Sequence, residues 1–558
     1  MIRTKRALRP QGAIRGRYGV SDASATPATI TDPMNSRALT QMLAIGIGGV
    51  HNASDDSRSH PTTLASLNSY NWASKKALGG LVPLTTFKTG GSAVKLDSSC
   101  NEANFPNGFY IRQILVYSDG VSTVYLPLTF GGQNWKLVNA GEDWETDNVA
   151  IVDRNGAAWT LPTTTARYIV TEVKFDNTTG TTTGQIVHRY KLSTDFNEYC
   201  YYNVSNLDAI ATGTAPSGTN CPYGAFGPDW WSGASTESCD SYLILGDSIS
   251  VNSNYNALNY AYATGHGHIG ERCATVGFQN WSIHTSQIVN RYNERSTAYS
   301  LNRLAKHFTH VVLCFGANDF AANIANQDWL TRHAGVIAAI NAASPATKVL
   351  QIILPRTSGT YATEAGQTPA GTSATVIAYT RSASWIADLA AAGATLKALC
   401  DISATPPTMG VGAAAHACRI EYYSSGWTYK WDVDEAATSL YNGTVTATSA
   451  TIKQDFVDSG LITGNLAVED ENKWQVLGKR LVWLTGANAG QSKDIDYFFR
   501  SDSANKIRLA SACTNNIAVG DTYKIINTFT SDGVHMTHAQ HQIVAQWFKE
   551  NLAALSAL

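Results

Sequence analysis

Between residues 242 and 402 the chain carries four short, largely apolar runs. They are Tyr242-Leu243-Ile244-Leu245, Val311-Val312-Leu313-Cys314-Phe315, Val349-Leu350-Gln351-Ile352-Ile353-Leu354, and Leu396 to Ile402. Runs this short, with so little polar residue to turn toward water, read as strands buried on both faces. The stretches between them have room for helices. Asp328 to Ala343 sets Leu330, Ala334, Ile337 and Asn341 on one helical face and stops at Ser344-Pro345. Val376 to Ala392 forms a second helical segment, closed by Gly393. Buried strands alternating with helices predict a doubly wound α/β unit around a parallel sheet.

Three polar clusters stand where such a sheet presents reactive groups, just past strand ends or at helix mouths. Gly246-Asp247-Ser248 follows the first run and Gly316-Ala317-Asn318-Asp319 the second. Asp532-Gly533-Val534-His535 precedes the last helical segment, Ile543 to Leu555, which Thr537-His538-Ala539-Gln540 opens as a capping box. The residue types suit acyl transfer. A serine hydroxyl attacks an ester poorly unless a base takes its proton, and a histidine with an ordinary pKa of roughly 6.5 is free to do so at pH 7. His535 fits that role, and Asp532 can orient its ring. His538 and His541, inside the helical segment, are the weaker alternatives. Backbone N–H groups near Ser248 and the side-chain amide of Asn318 are candidate donors to the oxyanion. This chemistry needs no cofactor and no metal. His266 and His268 read as loop residues, since no carboxylate or cysteine follows at ligand spacing.

In order and setting these blocks resemble the SGNH, or GDSL, hydrolase family over roughly residues 238–420 and 529–558. The resemblance implies Ser248 as nucleophile, with Asp532 and His535 as its acid and base partners. It implies an oxyanion hole of Ser248, Gly277 and Asn318, with Asp247 and Asp319 in support. Gly277 closes Ala274-Thr275-Val276-Gly277, and Gly265, Gly267 and Gly270 are its rivals nearby. Ile249 stands where the family usually has leucine. Trp281, four residues after Gly277, is read either as lining an acyl or sugar pocket or as core.

At 558 residues the chain has room for several domains. Residues 1–60 read as an arm, Arg-rich and then rich in Ser, Thr, Asp and Pro. Residues 61–235 read as a β-rich domain, a sandwich or jelly roll: Phe109 to Tyr117 ends at Ser118-Asp119-Gly120, Val121 to Phe130 runs to Gly131-Gly132, and Thr171 to Phe175 alternates. Pro222 to Gly233, with Trp230 and Trp231, reads as a linker whose tryptophans either pack between domains or stack on sugars. The hydrolase unit is then 236–420 with 529–558. The family pattern brings the Asp-x-x-His loop soon after the strand ending at Asp401, whereas here a long stretch intervenes. Its residues 421–528 form a β-rich insert that, over about 472–527, resembles a small β-barrel module of bacteriophage tail and baseplate proteins.

Only 15% of residues are charged and the net charge is -2, so nothing favours nucleic acid or an anionic membrane as partner. No apolar run approaches the ~20 residues of a membrane span. The N-terminal stretch lacks the apolar core of a secretory signal. Of the nine cysteines, Cys314 and Cys400 read as small buried apolar residues, and Cys200, Cys221 and Cys239 fall close enough to bridge. Together these observations predict a serine esterase that removes acyl groups, O-acetyl above all, from a bacterial surface polysaccharide. It would act as a phage tail or other extracellular component beside other virion proteins, with a homo-oligomer left open. The alternatives are a secreted lipase or short-chain esterase, and a non-catalytic virion adhesin or spike on the same scaffold.

Overall fold

The computed structural model describes residues 71–78, 82–96, 101–105, 108–175, 199–220, 227–237, 240–251, 277–282, 285–353, 356–359, 367–382, 384–401, 441–448, 453–462, 480–501, 504–509, 511–526 and 534. The expected arm and the C-terminal helical segment lie outside them.

The first β-rich region is built from β1 (Trp72–Leu78), β2 (Thr86–Ser92), β3 (Phe109–Ser118), β4 (Thr123–Leu128), β5 (Asp143–Glu145), β6 (Arg167–Phe175), β7 (Tyr199–Tyr202) and β8 (Trp230–Ser232). One antiparallel sheet runs β7-β1-β6-β3-β4, with short strands added at Thr219–Asn220 and Lys136–Val138, and a second runs β8-β2-β5. Phe87 of the second sheet shares a buried cluster with Leu115, Tyr117 and Ile169 of the first, so the two sheets face each other. The far face of β3 is also covered: Ile114 and Val116 pack with Leu207 and Ile210 of helix α1 (Leu207–Ile210). Burial on both faces is why β3 reads as an almost continuous apolar run.

The α/β unit holds a five-stranded, all-parallel sheet. Its strands are β9 (Ser241–Gly246), β10 (Gly277–Asn280), β11 (His310–Cys314), β12 (Lys348–Ile353) and β13 (Ala398–Asp401), in the order β10-β9-β11-β12-β13. The chain leaves β9 toward β10 on one side and then crosses to β11 on the other. The carboxyl ends of β9 and β11 therefore flank the point where the winding reverses, the usual place for a ligand in such sheets. Around it lie helices α2 (Ser248–Val251), α3 (Ile288–Asn293), α4 (Ala317–Ala321), α5 (Asn326–Ala343), α6 (Ser373–Arg381) and α7 (Ser384–Ala391), with a shorter helical segment at Ser300–His307.

Two helices differ from the sequence reading. The buried stripe of α5 is Trp329, His333, Ala334, Val336, Ile337 and Ile340; it keeps Ala334 and Ile337 of the expected line, while Leu330 and Asn341 are only half-buried. The large ring of Trp329, 5.4 Å from Phe320 and 4.0 Å from His333, sets which side turns inward. The single helix expected over Val376 to Ala392 is broken at Ser382, whose hydroxyl bonds Tyr379 O at 2.6 Å and Ser384 Oγ at 2.8 Å. Such local hydroxyl bonds compete with the helical ladder.

Strands β14 (Tyr441–Thr444), β15 (Ala447–Thr448), β16 (Asp455–Val457), β17 (Arg480–Trp483), β18 (Ser492–Ser501), β19 (Ala504–Leu509) and β20 (Thr522–Ile526) form an antiparallel sheet in the order β14-β20-β17-β18-β19-β16-β15. Its two end strands are consecutive in the chain, with Val445 and Thr446 between them, so the ends of the sheet meet. Phe456, Trp483, Ile507 and Tyr523 fill the interior.

A seam joins the first β-rich region to the α/β unit. The stretch expected as a linker ends in β8, which pairs with β2. Side chains alternate along a strand. Trp231 accordingly stacks on Phe87 inside the sandwich, at 5.5 Å, while Trp230 joins the α/β core and stacks on His307 at 3.8 Å. The tryptophan pair is therefore packing between the two regions. Across the same seam the Glu102 carboxylate accepts from Trp281 Nε1 at 2.9 Å and from Ser300 N at 3.1 Å, and it lies 3.4 Å from Arg291. Arg291 also pairs with Glu294, whose carboxyl is pushed up to about 7, chiefly by burial, with Glu102 adding to the shift and Arg291 opposing it. Cys200, Cys314 and Cys513 are buried. Among the described residues no helix is long and apolar enough to cross a membrane.

Candidate active site

The nucleophile candidate sits where the backbone is tightly specified. Gly246 ends β9 beside Cys314, the last residue of β11, and a Cβ there would lie 2.6 Å from the Cys314 carbonyl oxygen. A side chain at 246 would therefore push β9 and β11 apart, which accounts for the glycine. Asp247 N–H donates to that same Cys314 oxygen at 3.3 Å. Asp247 Oδ1 in turn accepts from Ile249 N at 2.9 Å, a local turn that carries the chain into α2 with Ser248 at its start. Ser248 is 3% exposed.

Asn318 rises from the neighbouring strand. Gly316 caps α4 with φ of +144°, and a Cβ there would lie 2.9 Å from the Phe320 ring. Only glycine meets both demands at no cost. This turn places Asn318 four residues beyond β11, at the same end of the sheet as Ser248. Asn318 Nδ2 donates to Ser286 O at 3.1 Å, and Gln287 Nε2 donates to Asn318 O at 3.2 Å. One of the two amide hydrogens of Asn318 is thereby used, and the second has no partner among the described residues.

Asp319 is 1% exposed and accepts Ile288 N with both oxygens, each at 3.2 Å, at the mouth of α3. Burial pushes its carboxyl up to about 7, and Asp247 adds to the rise while the Ile288 N–H opposes it. Asp247 and Asp319 thus influence one another, and each bonds backbone beside Ser248 or Asn318.

Gly277 does not join them. It is the first residue of β10 and pairs with Ser241, the first residue of β9. Ser248 lies beyond the other end of β9, so at about 3.3 Å per strand residue the two stand roughly 20 Å apart. The physical reason is the sheet itself: a glycine that opens a parallel strand cannot also stand at its carboxyl end. The residues that do reach Asn318 are Ser286 and Gln287, between β10 and α3, with Thr285 just before them. Thr285 holds φ of +65°, an uncommon conformation for a β-branched residue. Sequence reading looked for a glycine and so passed over this threonine. The rule that reactive groups gather past strand ends would have pointed to it. Trp281 is 3% exposed, with its indole N–H bonded to Glu102, so it is part of the seam. Asp532 and His535 lie outside the described residues, as do Gly265, His266, Gly267, His268 and Gly270.

No family model and no curated protein matches the chain. Among solved structures, an SGNH-hydrolase family esterase, AlinE4, is similar over 22% of this chain and 62% of its own, at 12% identity and a TM-score of 0.18. The chain thus spans less than two thirds of that esterase. A "possible lipase" from Chitinophaga pinensis is covered over 99% of its length and 57% of this chain, at 12% identity and a TM-score of 0.27. A carbohydrate esterase family 2 enzyme with a carbohydrate binding domain, from Corynascus thermopiles (Myceliophthora fergusii), is covered over 87% of its length and 60% of this chain, at 11% identity and a TM-score of 0.25. Likenesses at these scores carry no functional argument.

Proposed function

We propose that the protein is a serine ester hydrolase acting through Ser248. The observation that carries this reading is the meeting of Gly246-Asp247-Ser248 and Gly316-Ala317-Asn318-Asp319 at the carboxyl ends of adjacent parallel strands, at the reversal of strand order. In this mechanism Ser248 Oγ attacks the ester carbonyl carbon while His535 takes the hydroxyl proton and Asp532 steadies the imidazolium. The carbonyl oxygen, now anionic, accepts from the backbone N–H of Ser248 and the free amide hydrogen of Asn318. The Ser286–Gln287 segment, which holds Asn318, stands in the place assigned from sequence to Gly277. His535 then gives its proton to the leaving alcohol, and water repeats the sequence to free the acid and regenerate Ser248.

The finer reading is that the ester is an O-acetyl group on a bacterial surface polysaccharide and that the chain works within a phage tail. In support stand the sandwich packed on the α/β unit and the inserted sheet whose ends meet, which we read as a small barrel. The test is hydrolysis of p-nitrophenyl acetate by the full chain against Ser248→Ala. Loss of roughly 10⁴-fold or more in kcat is expected, because a nucleophile and its base act as one unit. An unchanged rate in the folded variant would leave the scaffold without this chemistry and favour the adhesin reading. Acetate release from an acetylated polysaccharide, compared with longer acyl esters, then separates deacetylase from lipase.

A further inference from the structure

A second site lies at the opposite end of the parallel sheet. A cavity of about 230 Å³ opens on the seam where β2 and β5 meet the helical segment Ser300–His307 that leads into β11. Gly91, Trp144, Trp230, Arg303, Lys306 and His307 are among its lining. His307 precedes the start of β11 and Ser248 lies past the strand's end, so five strand residues, roughly 15 Å, separate cavity and nucleophile. A molecule held here is not the ester under attack.

The charges around the cavity are mostly matched. Arg303 pairs with Asp143 at 3.1 Å, Lys136 with Glu142 at 3.0 Å, and Lys88 with Glu145 at 2.6 Å. Lys306 is exposed and has no acidic partner among the described residues, so it leaves one positive charge at the rim. His307 does not add to it: burial, chiefly, with Lys306 second, pushes its pKa down to about 4, so the ring is neutral at pH 7. That ring lies flat on Trp230, 3.8 Å away and 11° from parallel. The Trp144 indole N–H is buried and has no acceptor among the described residues. Gly91 keeps the adjoining wall bare, since a Cβ there would lie 2.8 Å from the Trp144 ring.

An unmatched cation beside the edges of a stacked aromatic pair, with the Asp143 and Glu145 carboxylates of the lining already held by Arg303 and Lys88, is complementary to a small polar ring bearing an anion. The volume falls below the ~300–1,000 Å³ typical of drug-sized ligands, which limits the occupant to about one ring. We propose that this cavity binds a single acidic sugar residue, its carboxylate at Lys306 and its ring against the aromatic wall. The site stands apart from the esterase reading, because binding can be measured with or without turnover. On a polymeric ligand it would raise the local concentration of chain at the protein surface.

The test is calorimetric titration of the full chain with sodium glucuronate, glucose and sodium acetate, repeated on Lys306→Gln and Lys306→Arg. Lys306 is exposed, so neither change disturbs the core. Glucuronate is expected to bind once per chain, with glucose and acetate each weaker by about tenfold or more, as loss of a charge-assisted bond predicts. Lys306→Gln should weaken glucuronate by a similar factor and Lys306→Arg should retain it, with p-nitrophenyl acetate hydrolysis unchanged in both. The proposal fails if glucuronate gives no binding heat, or if acetate or glucose matches it. It fails equally if Lys306→Gln binds like the parent or loses ester hydrolysis.

Discussion

Helix α3 is gripped from both sides by buried carboxylates, and the two grips work differently. At the candidate active site Asp319 takes the Ile288 N–H at the helix mouth, with no ion pair among the described residues and Arg332 only a weak opposing influence, and burial drives it toward the neutral acid. At the seam Glu102 reaches Arg291 on the same helix and also holds the Trp281 indole and the Ser300 N–H. One carboxyl escapes the cost of burial by keeping its proton, the other by charge pairing and hydrogen bonds. The difference teaches what each region is for. A network of three donors around one ion joins two regions, whereas a lone acid fixes one loop, the one that Asn318 also holds through Ser286.

The comparison is most easily broken at the seam. Glu102→Ala would leave Arg291, Trp281 Nε1 and Ser300 N–H short of an acceptor. Removing one member of such a buried group costs about 3–5 kcal/mol. Chemical denaturation should show that loss, with residual ester hydrolysis in whatever fraction stays folded. A loss below about 1 kcal/mol would reduce the contact to surface-pair strength and undo the distinction drawn here.

At the other end, Asn318→Ala tests chemistry and not cohesion. Loss of one oxyanion donor lowers kcat by ~10²–10³ with KM nearly constant. The same variant also gives up the bond to Ser286 O, so its thermal midpoint should be measured beside its rate. A large fall in stability with a small fall in kcat would make Asn318 a loop tether.

How much of this was legible in the sequence follows from which contacts are local. Four of the sheet's five strands announced themselves in the runs at Tyr242, Val311, Val349 and Leu396, because burial on both faces leaves a run few polar positions, whereas the short edge strand β10 gave no such run. Gly246 and Gly316 could be read as turn glycines next to Ser248 and Asn318, since both constraints act within a few residues. Gly277 was misplaced because its role depends on which end of β10 it occupies, and the strand register is a long-range property. Thr285 escaped for a simpler reason: nothing in threonine advertises a positive φ. The seam was the least legible. Glu102 and Arg291 lie 189 positions apart, and no local pattern pairs them. Trp230 and Trp231 were visible as a pair, but their division between two cores needed β8 to be paired with β2.

The sharpest test of the contrast between the carboxyls is the pH dependence carried by Asp319. Its folded pKa of about 7 stands above the ordinary value of about 3.9 for an unfolded aspartate. Between those two values the folded chain holds a proton that the unfolded chain has released, so stability falls as pH rises. The slope from this one group is roughly 1.4 kcal/mol per pH unit, with the stabilisation fully present below about pH 4 and lost by about pH 7. Asp319→Asn keeps an oxygen for the Ile288 N–H but cannot ionise. The variant should therefore lose that downward slope and gain on the parent as pH climbs from 4 to 7, as read from denaturation midpoints at each pH. Glu102→Gln serves as the control, because it removes an ion that is matched by Arg291, and it should cost stability at pH 7 instead of adding it. Parallel pH profiles for the parent and Asp319→Asn would mean that Asp319 is ionised in the folded chain and that the two grips on α3 are alike.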